Sequence, residues 1–184
     1  MDSVQKMRSR CYDGKVTQII HYPELIPPVG WKTAKMGTLV QYLPPEETAD
    51  LPRVSIYVSP LIARHAGLPS PDRLIAKAIE AEVARRIQLT DFREPVPFFT
   101  DTGLSGLCVE ISCVVLATKA RERRQYMMFS DDLCYYGINY IAAPDVYLDH
   151  LAQMQTTARS IRPFKGRVIP GTEAAAVLQR QYSD

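Results

Sequence analysis

The chain has 184 residues, 46% of them hydrophobic and 23% charged, and a net charge of +2. That length predicts one domain with a buried core, and that balance excludes global disorder. The small charge argues against a nucleic-acid partner, and no stretch reaches the roughly 20 apolar residues of a membrane span, so membrane insertion is not expected.

Residues 1–15 are polar and without period, and predict a flexible N-terminal segment. The start lacks the apolar centre of a signal peptide, and Cys11 lacks the apolar run that precedes a lipid-attached cysteine. Both point to a cytoplasmic protein. Residues 16–25 predict a short strand ended by Pro23. A stiff turn through Pro27 and Pro28 then delivers Trp31, the only tryptophan, as an anchor for the core or for a groove. Gly37 to Leu43 and Arg53 to Pro60 predict two further strands, the latter with Val54, Ile56 and Val58 on one face.

Ser70-Pro71-Asp72 is a helix start, with serine at the cap, proline in the first turn and an early acid. Ile75, Ile79, Val83 and Ile87 follow at four-residue steps, so the predicted amphipathic helix runs over Leu74 to Leu89. Asp91 to Asp101 reads as a loop stiffened by Pro95 and Pro97, with Phe98 and Phe99 buried. Leu107 to Thr118 is the longest predicted strand, with Val109, Ile111, Cys113, Val115 and Ala117 on an apolar face; Lys119 to Arg124 reads as its hairpin tip.

The chain is organised around Arg124 to Phe164. Tyr126, Met128 and Ser130 alternate with Met127 and Phe129 in a strand, and Ser130-Asp131-Asp132 supplies the turn. A second strand puts Tyr136, Ile138, Tyr140 and Ala142 on one face and Tyr135, Gly137, Asn139 and Ile141 on the other. Pro144 opens a helix whose apolar stripe is Tyr147, Leu151, Met154, Ala158 and Ile161. Short links among the last three strands require antiparallel pairing. The expected fold class is therefore α+β: an α/β/α sandwich around a roughly six-stranded antiparallel sheet over residues 16–164, followed by a C-terminal extension at 165–184.

Four local features resemble the PsbP-like family, which includes the bacterial DcrB-type proteins. They are Pro28-Val29-Gly30-Trp31, a strand ending at Pro44, Val54-Ser55-Ile56-Tyr57-Val58, and an aromatic strand leading to a helix that ends Ala158-Arg159-Ser160-Ile161-Arg162-Pro163. The resemblance covers roughly residues 16–163 and implies binding and assembly work in place of catalysis. Family members include an accessory subunit of photosystem II and envelope lipoproteins. They also include adaptor chaperones that escort effectors with hydrophobic segments to the type VI secretion machine. Lacking the leader of the first two groups, the sequence fits the chaperone branch best. The resemblance thus implies a polypeptide partner with an apolar segment; a homodimer is one assembly such an adaptor could form.

The residues suggest few chemical sites. His21, His65 and His150 have no spacing that groups them as metal ligands, and neither a metal nor another cofactor is expected. Cys108 and Cys113 share one predicted strand and Cys134 lies in the next, which predicts buried free thiols. Asp131-Asp132 lacks the oxygen ligands of a calcium loop, and Gly103-Leu104-Ser105-Gly106 lacks the lysine of a phosphate loop. The expectation is a non-enzymatic protein-binding adaptor or chaperone that uses Trp31, Tyr126, Met128, Tyr135, Tyr136 and Tyr140 as candidate contacts. Two alternatives stand beside it: an enzyme or small-ligand receptor with a pocket near Cys108, Glu110 and Cys134, and a structural subunit of a larger complex.

Overall fold

The computed structural model describes residues 21–49, 52–64 and 67–165. The N-terminal segment, most of the strand expected at 16–25 and the C-terminal extension lie outside these residues. Within 21–25, Glu24 makes an isolated bridge to Arg162 and no strand forms.

The first half of the chain forms β1 (Lys32–Met36), β2 (Leu39–Leu43), β3 (Val54–Val58), β4 (Ile62–Ala63) and α1 (Pro71–Arg85). The second half forms β5 (Ile87–Phe92), β6 (Val96–Phe99), β7 (Ser105–Val115), β8 (Arg121–Ser130), β9 (Cys134–Ala142) and α2 (Tyr147–Arg159). The nine strands of the described residues belong to one sheet of order β1-β2-β3-β9-β8-β7-β5, with β4 also paired to β9 and β6 to β7. Every pairing is antiparallel. The sheet is therefore larger than the six strands expected.

The extra strands have a common cause. β5 and β6 lie end to end along β7, where pairing satisfies backbone groups that their own sequence does not commit to a strand. Pro95 and Pro97 are tolerated because this is the sheet edge. The helix predicted to reach Leu89 consequently stops at Arg85, and Ile87 meets the same apolar cluster from β5. Phe98 packs edge-on against Phe129, with ring centroids 5.6 Å apart. Strand alternation turns Phe99 to the opposite face, where it is 63% exposed, so the expected burial of both rings holds only in part for Phe98. Arg121 to Arg124 belong to β8; the hairpin turn lies just before them, at Leu116 to Ala120, with Lys119 at φ 60°.

The helices cover opposite faces. Tyr136, Ile138, Tyr140 and Ala142 alternate as predicted and pack with Ile56, Val58, Met127 and Phe129 under α2. Tyr147, Met154, Ala158 and Ile161 close that core, and Leu151 packs at its border. The helix begins at Tyr147, after a turn through Pro144 in which the Val146 N–H donates to the Ala143 carbonyl.

On the other face, Ile75 and Ile79 of α1 pack on Val109, Ile111, Cys113 and Tyr126. Buried Arg124 adds a polar clamp, donating to Glu82 of α1 at 3.3 Å and to Glu122 at 2.6 Å. α1 crosses its face diagonally. Its first turn lies beside Asp132 and Tyr135, and its last reaches Arg124 and the β7–β8 hairpin. Among the described residues, one corner of the sheet, at β6 and the start of β7, is left outside its cover.

Candidate functional site

That corner is built by strand register. Directly paired residues share a face, so Ile62, Tyr135, Ser130, Ser105 and Phe99 form one row across β4/β9, β8, β7 and β6. Gly137, Met128, Leu107 and Pro97 form the next row. The five strands span about 19 Å, with about 7 Å between rows. Serines and a glycine keep the middle low, while Met128 and Leu107 supply a half-buried apolar floor and Phe99 rises at the free edge. Pro71, Leu68 and Arg64 border the far end, where an open cavity of about 520 Å³ lies over Tyr135 and Asp132. Among the described residues, the result is a trough beside the N-terminus of α1, apolar at Phe99, Leu107 and Met128 and mainly polar where Arg64, Ser70 and Asp132 line the cavity.

Of the six candidate contacts, the structure brings Met128 and Tyr135 to this trough. Tyr135 is 3% exposed, with the Arg64 guanidinium 5.8 Å above its ring. Tyr126 lies beneath α1, and its hydroxyl sits 3.3 Å from Arg124. Tyr136 and Tyr140 lie on the opposite face, closed off by α2, and are 0% exposed. Trp31 belongs to the α2 side as well: its Nε1–H donates to Gln153 at 3.1 Å and its ring stands edge-on to His150. No single groove therefore gathers the six. Phe99, Leu107 and Pro97 escaped the sequence reading because the register that joins them to Met128 is set by residues far apart in the chain.

The alternative pocket does not assemble. Cys108 and Glu110 share the α2 face of β7, but Cys108 pairs across to Met127 and Ile138, and Cys134 lies about 13 Å further along β9 at the usual strand rise. Burial, with the nearby Glu110 charge, pushes the Cys108 thiol up to about 11. Burial and Asp131 likewise push Cys134 up to about 11. Both thiols are protonated at neutral pH, which removes the nucleophilic form. Cys113, Cys108 and Cys134 are consequently expected to resist a water-soluble thiol reagent in the native protein and to react together on unfolding. Peptide mapping after brief labelling with and without denaturant checks this; native labelling of Cys108 at the rate of an exposed cysteine would refute it.

Glu110 has a different task. Its Oε1 accepts from Arg123 at 2.6 Å and from Arg93 at 3.2 Å, and its Oε2 from Tyr147 at 2.7 Å and Gln125 at 3.2 Å. Burial alone pushes the carboxyl up. Hydrogen bonds from Tyr147, Arg123 and Gln125, together with the Arg123 charge, outweigh that and hold it below the usual carboxylate range. The Arg123 guanidinium also lies 4.0 Å over the Tyr147 ring. With both oxygens occupied, this carboxylate ties β7, β8, the β5–β6 link and the start of α2 together.

Asp131 is similarly occupied. Its carboxylate accepts from the N–H groups of Leu133 and Cys134, both at 2.7 Å, and from the Tyr136 hydroxyl. It shapes the β8–β9 turn, while Asp132 is exposed at the cavity. Among the described residues, no cluster of acids, histidines and cysteines has a metal-binding arrangement, and no helix is long and apolar enough to cross a membrane.

No family model matches the sequence, and no curated protein does. Among solved structures, the chain is similar to LpqN of Mycobacterium tuberculosis, a protein involved in cell envelope biogenesis. The TM-score is 0.53 at 12% identity, covering 88% of this chain and 93% of LpqN. It is similar as well to the cyanobacterial PsbP, CyanoP, of Synechocystis sp. PCC 6803, with a TM-score of 0.51 at 10% identity over 85% of this chain and 98% of that one. PA94 of Pseudomonas aeruginosa, a protein of unknown function, gives a TM-score of 0.47 at 7% identity over 74% and 99% of the two chains. The fold is PsbP-like, as the sequence resemblance implied; at these identities the likeness extends to the fold alone.

Proposed function

We propose that the protein is a non-enzymatic polypeptide-binding adaptor that holds an apolar segment of its partner in the trough beside α1. The observation that carries this reading is Phe99, 63% exposed on the same face as Leu107 and Met128, which border the core under α1 and stay half-buried. An exposed aromatic ring beside half-buried methionine and leucine side chains suits an apolar chain, because methionine adapts its shape and an aromatic ring contributes large contact area. An escort role in secretion, which the sequence resemblance implies, is the form of adaptor work this surface would serve.

Photo-crosslinkable residues placed at Phe99 and at Leu107 test the reading in the native cell. The control position is Leu148, which is 66% exposed on α2 across the sheet. A single polypeptide adduct is expected at Phe99 and Leu107 and none at Leu148. Phe99→Glu should weaken binding of that polypeptide at least tenfold, or about 1.4 kcal/mol. Equal labelling of Leu148, or no adduct from the trough, would reject the proposal.

A further inference from the structure

We infer that a second copy of this chain pairs with the first, strand to strand, along the free edge of β5, about a two-fold axis at Phe92. The Arg93 N–H donates inward to the Glu110 carbonyl at 2.9 Å. Peptide planarity therefore turns the Phe92 carbonyl outward, and strand alternation turns the Phe92 N–H outward with it. Among the described residues nothing pairs with this Phe92 donor and acceptor on the edge, and the residue is 46% exposed. Two copies antiparallel at this residue would exchange both hydrogen bonds.

Charge selects the register. With the axis at Phe92, Asp91 of each copy lies opposite Arg93 of the other, on the face that carries Ser112 and Glu110. Opposite charges directly across strands stabilise a pairing, and like charges oppose it. Shifting the axis to Asp91 would set that acid against its own copy, and shifting it to Arg93 would do the same with the arginine. Arg93 can serve both partners, since a guanidinium has five donors and its contact with Glu110 leaves the side chain 62% exposed. The two Phe92 rings meet on the α1 face as a cross-strand aromatic pair. Pro95 and Pro97 contribute no N–H, so pairing cannot run on into β6. The extra residue at the Leu89/Asp91 irregularity breaks the run at the other end, and the interface is confined to a short ribbon.

Sedimentation of the full chain over a range of concentrations, at moderate salt, tests this. Wild type is expected to dimerise. Asp91→Lys and Arg93→Glu should each weaken self-association at least tenfold, while an equimolar mixture of the two should dimerise again, because every cross-strand pair is then opposite in sign. Phe92→Asp, a change to an exposed side chain, should also give monomer and keeps the test decisive if Arg93→Glu does not fold by circular dichroism. A wild type that remains monomeric, or a dimer indifferent to Asp91→Lys and Phe92→Asp, would overturn the inference. The inference is independent of the trough: Phe99 and Leu107 take no part in the ribbon, so either result leaves the crosslinking test intact.

Discussion

Replacing Glu110 with alanine is expected to destabilise the protein by about 3–5 kcal/mol, the usual cost of removing one partner from a buried ion pair. For a chain of this size that lowers Tm by roughly 10–15 °C. The cost falls mainly on Arg123, whose side chain is 22% exposed and held over the Tyr147 ring, so water cannot readily replace the lost carboxylate. Arg93 is 62% exposed and can rehydrate, so Arg93→Ala should cost no more than about 1 kcal/mol. Glu110→Gln keeps the shape but sets an amide N–H₂ among donors, and should cost about 1.5–3 kcal/mol.

The pH dependence follows from sign. The folded carboxyl titrates below its unfolded value of about 4.3, so its stabilisation is complete above that value and is lost as pH falls through the folded one. The gap between wild type and Glu110→Gln should therefore narrow from pH 6 down to pH 3 in denaturant melts. A gap that stays constant would show that the carboxylate charge is not what holds this centre.

Much of the fold is legible in the sequence because single strands and helices announce themselves by period. Tyr136, Ile138, Tyr140 and Ala142 alternate without interruption, and their common face is the one buried under α2. The Tyr147 to Ile161 stripe is equally plain, since one continuous core contacts it. β5 is opaque for the opposite reasons. Ile87 continues the four-residue steps of α1, and the irregularity between Leu89 and Asp91 breaks the alternation that would identify a strand. Only pairing with β7, a long-range contact, decides the matter.

The trough is harder still to read. Phe99, Ser105, Ser130 and Tyr135 are scattered over four strands, and no local pattern encodes the register that lines them up. Sequence reading could flag Met128 and Tyr135 as members of an aromatic and methionine-rich cluster. Which of that cluster remains accessible depends on the diagonal course of α1. The Glu110 centre likewise looks like a lone acid in an apolar strand until Arg93, Arg123, Gln125 and Tyr147 arrive from other segments.

Tyr136 separates structural from recognition roles most sharply. It is 0% exposed, its hydroxyl donates to the Asp131 carboxylate, and the same oxygen accepts the Phe164 N–H at 2.8 Å. Tyr136→Ala is expected to cost about 3–5 kcal/mol, as for other large aromatic truncations in a packed core. Tyr136→Phe keeps the ring and should cost about 1–3 kcal/mol, because Asp131 and the Phe164 N–H each lose a partner. The chemical-denaturation midpoint reads both. Partner affinity per folded molecule should be unchanged in Tyr136→Phe and at least tenfold weaker in Phe99→Glu. The reverse result, with affinity lost at Tyr136 and kept at Phe99, would move recognition to the α2 face and require that helix to lift from the sheet. The Tyr147 hydroxyl on Glu110 and the Tyr140 hydroxyl on the Tyr147 carbonyl, both at 2.7 Å, oppose that opening, and the first residue of α2 is the one they hold.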